Sequence, residues 1–382
     1  MFQKILTEEV FFLLNIRGQS LDASTLSSKL KAIVCLSLEG LLGILLTVGI
    51  LDSTDDLYSV LENITGLITL LQIIFRSVIL FVYKDNFLNS IIFLKIFWKA
   101  DRFGATSFKK ISNFRLQFVK ILRIYRLIIG ISGTLYLTKP LFEKHRMLPM
   151  TCLLLCDIHN DVCYVFYYIF QIIALATQLI MLVGFDSLFF VLLMCAYVEL
   201  EQIKQALSNL SMKENAKGDQ DEVLKEMITI IEHHNLVLGY IGIFNHLFKT
   251  ALLFQFGFSI FSLCSSLFVM TTNGFPPTTG NFLKSGPYCF SGICQIFIYS
   301  AVGELIAQQT ERISDAAYET KWILNYQPSF RKMLLLLIQR AQLRSQITVG
   351  GVWKLDMTTF ASILKGSMSL MAFIQTVYYN KK

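Results

Sequence analysis

The sequence predicts an all-α polytopic membrane protein with seven transmembrane helices, an intracellular N-terminus, an extracellular C-terminus and a cytoplasmic helical anchor. Three observations carry that prediction. Of 382 residues, 54% are apolar and 16% charged, where a soluble domain carries about 25% charge. Apolar runs of the length that crosses a bilayer core, about 20 residues, recur along the chain. Basic residues collect in alternate connecting segments. A mean hydropathy of +0.55 and 13% aromatic content, led by 32 Phe, exclude a disordered chain. The net charge of +7 is what basic loops beside apolar spans produce, so it points to membrane lipid and to no nucleic-acid partner.

Residues 1–32 read as a cytoplasmic N-terminal arm. Glu8 and Glu9 precede a short FFLL run with no small-residue cleavage site, so the arm does not read as a signal peptide. Region 33–198 holds the first four spans, at 33–51, 60–82, 121–139 and 164–198. The third is the weakest, because its uninterrupted apolar part runs only from Leu127 to Leu137 and Lys120, Arg123 and Arg126 must snorkel to an interface. Region 199–242 carries cytoplasmic amphipathic helices, with Leu207, Leu210, Val223, Leu224, Met227, Ile228 and Ile231 at helical spacing and a turn at Ala216 to Asp219. Region 243–310 holds spans five and six, at 243–270 and 287–310. The fourth and fifth are too long for one crossing and are expected to continue into water as the same helices. Region 311–350 is an anchor segment: it follows QTERISDAAYETKW into a break at Tyr326-Gln327-Pro328, then FRKMLLLLIQRAQ, the first half of helix seven. Region 351–382 holds the last span, 355–379, and the C-terminus.

Orientation follows from the basic residues. The arm and the stretches 84–126, 199–249 and 304–344 hold 25 Lys and Arg, and the alternate segments hold six. Positive-inside then places the N-terminus in the cytosol, the reverse of a G-protein-coupled receptor. The third helix also reads R-I-Y-R at 123–126 in place of a D-R-Y triplet, and the seventh lacks N-P-x-x-Y. Arg76, Asp186 and Glu304 fall at similar depth near the inner interface, either as one polar layer or as charges already in water.

Eight cysteines show no C-x-x-C spacing and five His are scattered, so no metal or other cofactor is expected. No nucleophile and base converge on one depth, so an enzyme is not expected. Cys152, Cys156 and Cys163 lie on the outer side, where a disulfide is allowed, with the pairing open. Asn63 sits in an outer N-I-T sequon close to a helix start, and the N-L-S at Asn209 is cytoplasmic and silent. The amphipathic stretches offer a cytoplasmic bundle where subunits could hold each other. Gly350-Gly351 divides the final apolar region. Beyond it Thr358, Ser362, Lys365, Ser369 and Thr376 fall on one helical face, which is either helix–helix glue or the wall of a water-lined path. Phe373 and Val377 flank its outer end and would form an apolar constriction between symmetry-related copies.

Five segments of this chain carry a family resemblance: GELIAQQTERISDAAYETKW (303–322), RKMLLLLIQRAQ (331–342), TVGG (348–351), FASILKGSMSLMAFIQTVYY (360–379) and GFDSLF (184–189). Together they resemble insect odorant receptors, concentrated in the last 85 residues. The link between helices four and five is short where the shared olfactory co-receptor has a large insertion, so the chain looks like a ligand-tuned subunit. The resemblance implies a ligand-gated, non-selective cation channel of four subunits, a heterotetramer with olfactory co-receptor subunits in the membrane of olfactory dendrites. It implies a pore lined by the last helix, with Phe373, Thr376 and Val377 at the gate and Ser369 and Lys365 deeper. A small apolar or aromatic volatile would sit in the outer half of one subunit, among Leu67, Leu70, Leu71, Gly130, Gly133, Leu137, Phe170, Ile173, Thr177, Phe290, Ile293, Cys294 and Phe297. Alternatives are a gustatory-type channel, although SLMAFIQTVYY replaces that group's T-Y-x-x-x-x-x-Q-F ending, and a metabotropic seven-helix receptor.

Overall fold

The computed structural model describes residues 2–21, 25–52, 57–142, 146–150, 152–153, 156–157, 159–214, 220–271, 274, 276–277, 279–320, 322 and 327–381. Its helices are α1 (Phe2–Ile16), α2 (Leu26–Asp52), α3 (Leu57–Val82), α4 (Lys84–Phe93), α5 (Ala105–Thr138), α6 (Asp161–Glu214), α7 (Gln220–Thr271), α8 (Thr279–Tyr318), α9 (Pro328–Gln342) and α10 (Met357–Lys381). The expected turn at Ala216 to Asp219 and the residue Tyr326 lie outside the described residues.

Among the described residues six helices are long and apolar enough to cross a membrane: α2, α3, α6, α7, α8 and α10. The weak third span falls on α5, which is not one of the six. Its 34 residues reach about 50 Å at 1.5 Å per residue, but its first two thirds carry six basic side chains. Ile121, Ile124, Leu127, Ile131 and Leu135 make an exposed apolar stripe at helical spacing, and Arg126 is held by Glu9 at 3.1 Å and by Ser187 Oγ at 3.0 Å.

The core gathers around α6, which is buried at every position from Gly184 to Ala196. A helix apolar on all sides is stable only when other helices surround it, and α1, α5, α7 and α8 do so here. Phe189 packs 4.5 Å from Tyr299 of α8 and 5.1 Å from Phe248 of α7. At 54 and 52 residues, α6 and α7 run about 80 Å each, far beyond a 30 Å hydrocarbon layer. Beyond the core, Glu199 of α6 hydrogen-bonds His233 Nε2 of α7 at 2.9 Å and accepts the Trp98 backbone N–H at 3.1 Å. Trp98 stacks on that imidazole at 3.8 Å, which fixes the connection leading into α5.

The N-terminal helix packs into the bundle. Leu14 lies where a Cβ on Gly184 would meet it at 3.1 Å. Arg17, buried, pairs with Glu39 of α2 at 2.6 Å and donates to Ser77 Oγ and the Thr177 carbonyl, each at 3.1 Å. Glu39 is thus a further buried charge inside an apolar span, additional to Arg76 and Asp186.

Among the outer cysteines the bond is Cys156–Cys163, with Cα atoms 6.3 Å apart at the start of α6; Cys152 is free and accepts from Gln171. Gln171 also clasps the Met150 backbone, at 2.9 and 3.0 Å, and Met150 occupies the space a side chain on Gly66 would need. The Asn63 side chain is buried, leaving its sequon closed to a glycan. Between α9 and α10, Thr348–Val349 pairs antiparallel with Trp353–Lys354. Gly350 and Gly351, at φ 65° and 78°, supply the two left-handed positions of a type I′ turn. This hairpin is fastened to α7 by Gly350 N–H on the Lys249 carbonyl and by Thr348 on Asn245, both at 2.8 Å.

Candidate functional site

Arg76 of α3 and Asp186 of α6 form a buried ion pair at 2.9 Å, their side chains 4% and 0% exposed. Buried charges need several partners to survive desolvation, and these have them. Asp186 also accepts from Tyr125 O–H of α5, from Tyr299 O–H of α8 at 2.6 Å and from Gln295 Nε2 at 2.7 Å. Arg76 donates to Gln255 Oε1 of α7 at 2.6 Å and lies over the Phe185 ring, while Gln255 donates to Gln295 at 3.0 Å. Three helices thus place donors on the one carboxylate of α6, and α7 joins them through Gln255. Of the three charges expected at this depth, Glu304 stays apart: half-exposed, it accepts from Gln308, one turn along α8, at 3.0 Å. Helical phase explains the split, since Tyr299 and Gln295 face inward on α8 and Glu304 does not.

Directly beside this cluster, toward the disulfide end, lies a cavity of about 190 Å³ among α3, α5, α6, α7 and α8, capped by Met150. Gln295 belongs to both. The lining is rich in hydroxyls: Thr65 and Thr69, Ser132 and Tyr136, Ser259, Ser262, Ser265 and Ser266, then Ser285, Tyr288 and Ser291. Tyr288 O–H sits between Thr69 Oγ1 at 2.8 Å and Ser262 Oγ at 2.7 Å, joining α3, α8 and α7. Ser259, Ser266, Thr65 and Thr69 donate to their own helices four residues back, so lone pairs remain to accept. Gln178 Nε2, buried, has no partner among the described residues, and Gln178 lines the same space. The wall therefore offers several acceptors and one free amide donor among leucine and glycine surfaces.

Of the thirteen residues expected around a ligand, Gly133 and Leu137 line this cavity. Gly133 sits against Leu179, which a Cβ there would meet at 3.2 Å. Leu70 is buried in a separate cluster with Leu42, Leu46 and Ala174, and Leu67 and Phe170 pack on it. Leu71, Ile173, Phe290 and Phe297 are exposed on outer faces, Phe297 against Phe360 of α10 at 5.6 Å. Thr177 donates to the Ala174 carbonyl, Ile293 packs on the core, Cys294 is half-buried and a Cβ on Gly130 would meet open space. The wall is mostly apolar, as expected, but its rings are those of Tyr136 and Tyr288, its aliphatic surface comes from leucines, isoleucines and Val269, and hydroxyls are interspersed throughout. Their signal was in the sequence: Thr65, Thr69 and Gln72, Ser259, Ser262 and Ser266, and Ser285, Tyr288, Ser291 and Gln295 repeat at three and four, the period read only for the last helix.

On α10 the expected stripe is uncovered throughout. Thr358, Ser362, Lys365, Ser369 and Thr376 are exposed, with Phe373 65% and Val377 45% exposed beside them. The opposite face carries Ile363 and Ser367 into the bundle, and Gln375 donates to Thr271 of α7 at 2.8 Å. Ser362 and Thr376 bond back to their own helix, so neither hydroxyl leaves its donor without an acceptor. Asp356 caps the helix, accepting from Thr359 N–H at 2.8 Å. Burial raises its pKa, but the hydrogen bonds from Thr358 and Thr359 outweigh burial and hold it below the usual aspartate range.

Residues 56–368 match the family model described as 7tm odorant receptor. Odorant receptor 10 of Aedes albopictus is 24% identical over 300 residues, 77% of each chain. Odorant receptor 46a, isoform B, of Drosophila melanogaster is 23% identical over 283 residues, 73% of each. The solved insect olfactory receptor OR5 from Machilis hrabei shares the fold, with TM-score 0.82 and 14% identity over 98% of both chains. Its structure in complex with eugenol gives TM-score 0.79.

Arg76→Met should cost about 3–5 kcal/mol, because it strands a buried carboxylate. Arg76→Met with Asp186→Asn should recover part of that loss by removing the charge while keeping an acceptor for the tyrosines. Thermal unfolding of the purified full-length chain in detergent measures both, and a double variant no more stable than the single would remove the ion pair from this account.

Proposed function

The chain belongs to the 7tm odorant receptor family and is a multi-pass membrane protein, and from that premise we propose that it is the ligand-tuned subunit of an odorant-gated, non-selective cation channel. Its partners in this reading are olfactory co-receptor subunits in a heterotetramer. It is a receptor and not an enzyme. The observation that carries the reading is the face of α10. A spanning helix with a lysine and four hydroxyls on one side cannot turn that side to lipid without cost, and the subunit leaves it bare. Copies of this face meeting around an axis would enclose a polar path, narrowed where Phe373, Thr376 and Val377 project, with Ser369 and Lys365 deeper.

Seven crossings complete the topology, with α5 as the third. Its exposed apolar stripe faces lipid and its basic side chains lie toward the cytosol, which agrees with the basic-residue asymmetry. The N-terminus is then cytosolic, α9 and the inner ends of α6 to α8 form the anchor, and the disulfide end is extracellular.

The cavity beside Asp186 is the proposed odorant site, in the outer half of the bundle. Its chemistry favours a small volatile with an apolar or aromatic body and one hydroxyl or carbonyl group. A hydroxyl can donate to the serine lone pairs, and an oxygen can accept from Gln178. Eugenol, bound by the related receptor, is a phenol of that kind. Gln295 gives an occupied cavity a direct route to the Asp186 cluster and so to α3, α5, α6 and α7.

Co-expression with the co-receptor should give odorant-evoked cation current, and Phe373→Ala should raise leak or alter gating without loss of assembly. Surface expression with no current across an odorant panel would sink the channel reading, and unchanged currents would remove Phe373 from the constriction. Within the cavity, Tyr288→Phe should raise the half-maximal concentration of a hydroxyl-bearing agonist about 2–10-fold, the worth of one neutral hydrogen bond. It should leave agonists that lack hydrogen-bonding groups unaffected, and equal shifts for both kinds would show that Tyr288 acts through packing.

A further inference from the structure

A second cavity, of about 120 Å³, lies between α5, α6 and α8 on the far side of the Asp186 cluster. It differs from the first in kind. Phe118, Ile121, Leu193, Met194, Val302 and Leu305 make its wall, and the O–H of Tyr125, which also borders it, is turned away to Asp186. Ile121 and Leu305 are exposed at its rim, so it opens sideways, toward lipid, as a groove.

Its depth is set by helix geometry. Counting along α5 from Thr138, Ile121 lies about 26 Å and Lys110 about 42 Å from the disulfide end, and along α8 from Ser285, Val302 lies about 26 Å and Arg312 about 41 Å. The hydrocarbon core is about 30 Å thick and the bilayer with headgroups about 40–45 Å. The groove therefore falls in the acyl layer of the far leaflet, and Lys110 and Arg312 fall in its headgroup layer. Both lie within electrostatic reach of Tyr197, whose ring lines the inner end of the groove. The Lys110 side chain is 62% exposed and Arg312 is exposed. The acid among them, Glu201, is shared by Lys110 at 2.7 Å, Lys204 at 2.5 Å and Gln309 at 2.8 Å. Lys110, Lys204 and Arg312 thus bring three basic side chains to the mouth of the groove.

We propose that this groove holds one acyl chain of an anionic phospholipid of the cytoplasmic leaflet, with the headgroup on Lys110 and Arg312. Arginine suits a phosphate because its planar fork can donate twice to neighbouring oxygens. The leaflet rests on the topology proposed above; the site itself does not depend on channel activity. Lipid occupying this groove would touch α5, α6 and α8 next to Tyr125, so leaflet composition would bear on the packing around Asp186.

Native mass spectrometry of the purified full-length chain, with phosphatidylserine or phosphatidylcholine added in detergent, tests this without any measurement of current. Phosphatidylserine should be retained at least about fivefold more than phosphatidylcholine, the worth of one basic residue near an anionic headgroup. Arg312→Glu should bring the two to parity, with Lys110→Gln as the milder variant if that chain is poorly recovered. Val302→Trp, which fills the groove, should lower retention of both lipids by a similar factor. Equal retention of the two lipids by the unchanged chain overturns the proposal, as does full phosphatidylserine retention by both the charge and the groove variants. Loss of oligomers in Val302→Trp with lipid retention unchanged would give the groove to a second copy of the chain instead.

Discussion

The helices in the membrane part of this chain are arranged around a carboxylate buried away from solvent. Asp186 sits at 0% exposure in the stretch of α6 buried at every position, and an ionised aspartate there is tolerable only if each lone pair is occupied. Arg76, Tyr125, Tyr299 and Gln295 occupy them, from three different helices. Because these partners must all reach one point, the rotation and depth of α3, α5 and α8 about α6 are fixed together, and Gln255 brings α7 into register through Arg76. Slipping one helix by a turn would carry its donor about 5 Å away and strand a charge.

This constraint also separates two kinds of space. On the disulfide side the helices diverge around serines, threonines and Tyr288, and leave a cavity with unspent hydrogen-bonding capacity. On the opposite side they diverge around phenylalanines and leucines, and leave a groove with almost none. The first suits a small amphiphile and the second an alkyl chain. Gln295 and Tyr125 touch the cluster from the two sides, so the same carboxylate is adjacent to both. A buried polar network with discrete partners can re-pair in steps and cannot deform smoothly, which is the property a receptor needs if occupancy is to alter helix packing.

The last helix stands outside this arrangement. It leans on α7 and α8 through Ile363, Ser367 and Gln375 and is tied at its start by the Gly350-Gly351 hairpin and the Asp356 cap. One face is supplied by the subunit and the other is left for whatever surrounds it. The fastening through Asn245 and Lys249 ties the base of α10 to α7.

Much of this was legible in the residues alone. Six of the seven expected spans coincide with helices long and apolar enough to cross a membrane among the described residues, because hydropathy depends on composition along the chain and on nothing far away. The stripe on α10 and the polar faces of α3, α7 and α8 follow from a local period of three and four. What the sequence could not decide is which faces meet. Arg76, Asp186 and Glu304 look alike at similar depth, yet only helix rotation makes two of them a buried pair and leaves the third half-exposed. Glu39 shows the same dependence: in the sequence it is a lone acid in a span, and it becomes tolerable only when Arg17 folds back upon it at 2.6 Å. The lining of the cavity, likewise, depends on the mutual rotation of five helices, so Gly133 and Leu137 enter it while neighbours such as Gly130 and Phe290 face away. Hydrophobicity is a property of a segment and is written in it; a partner is a property of two segments, and only their packing supplies it.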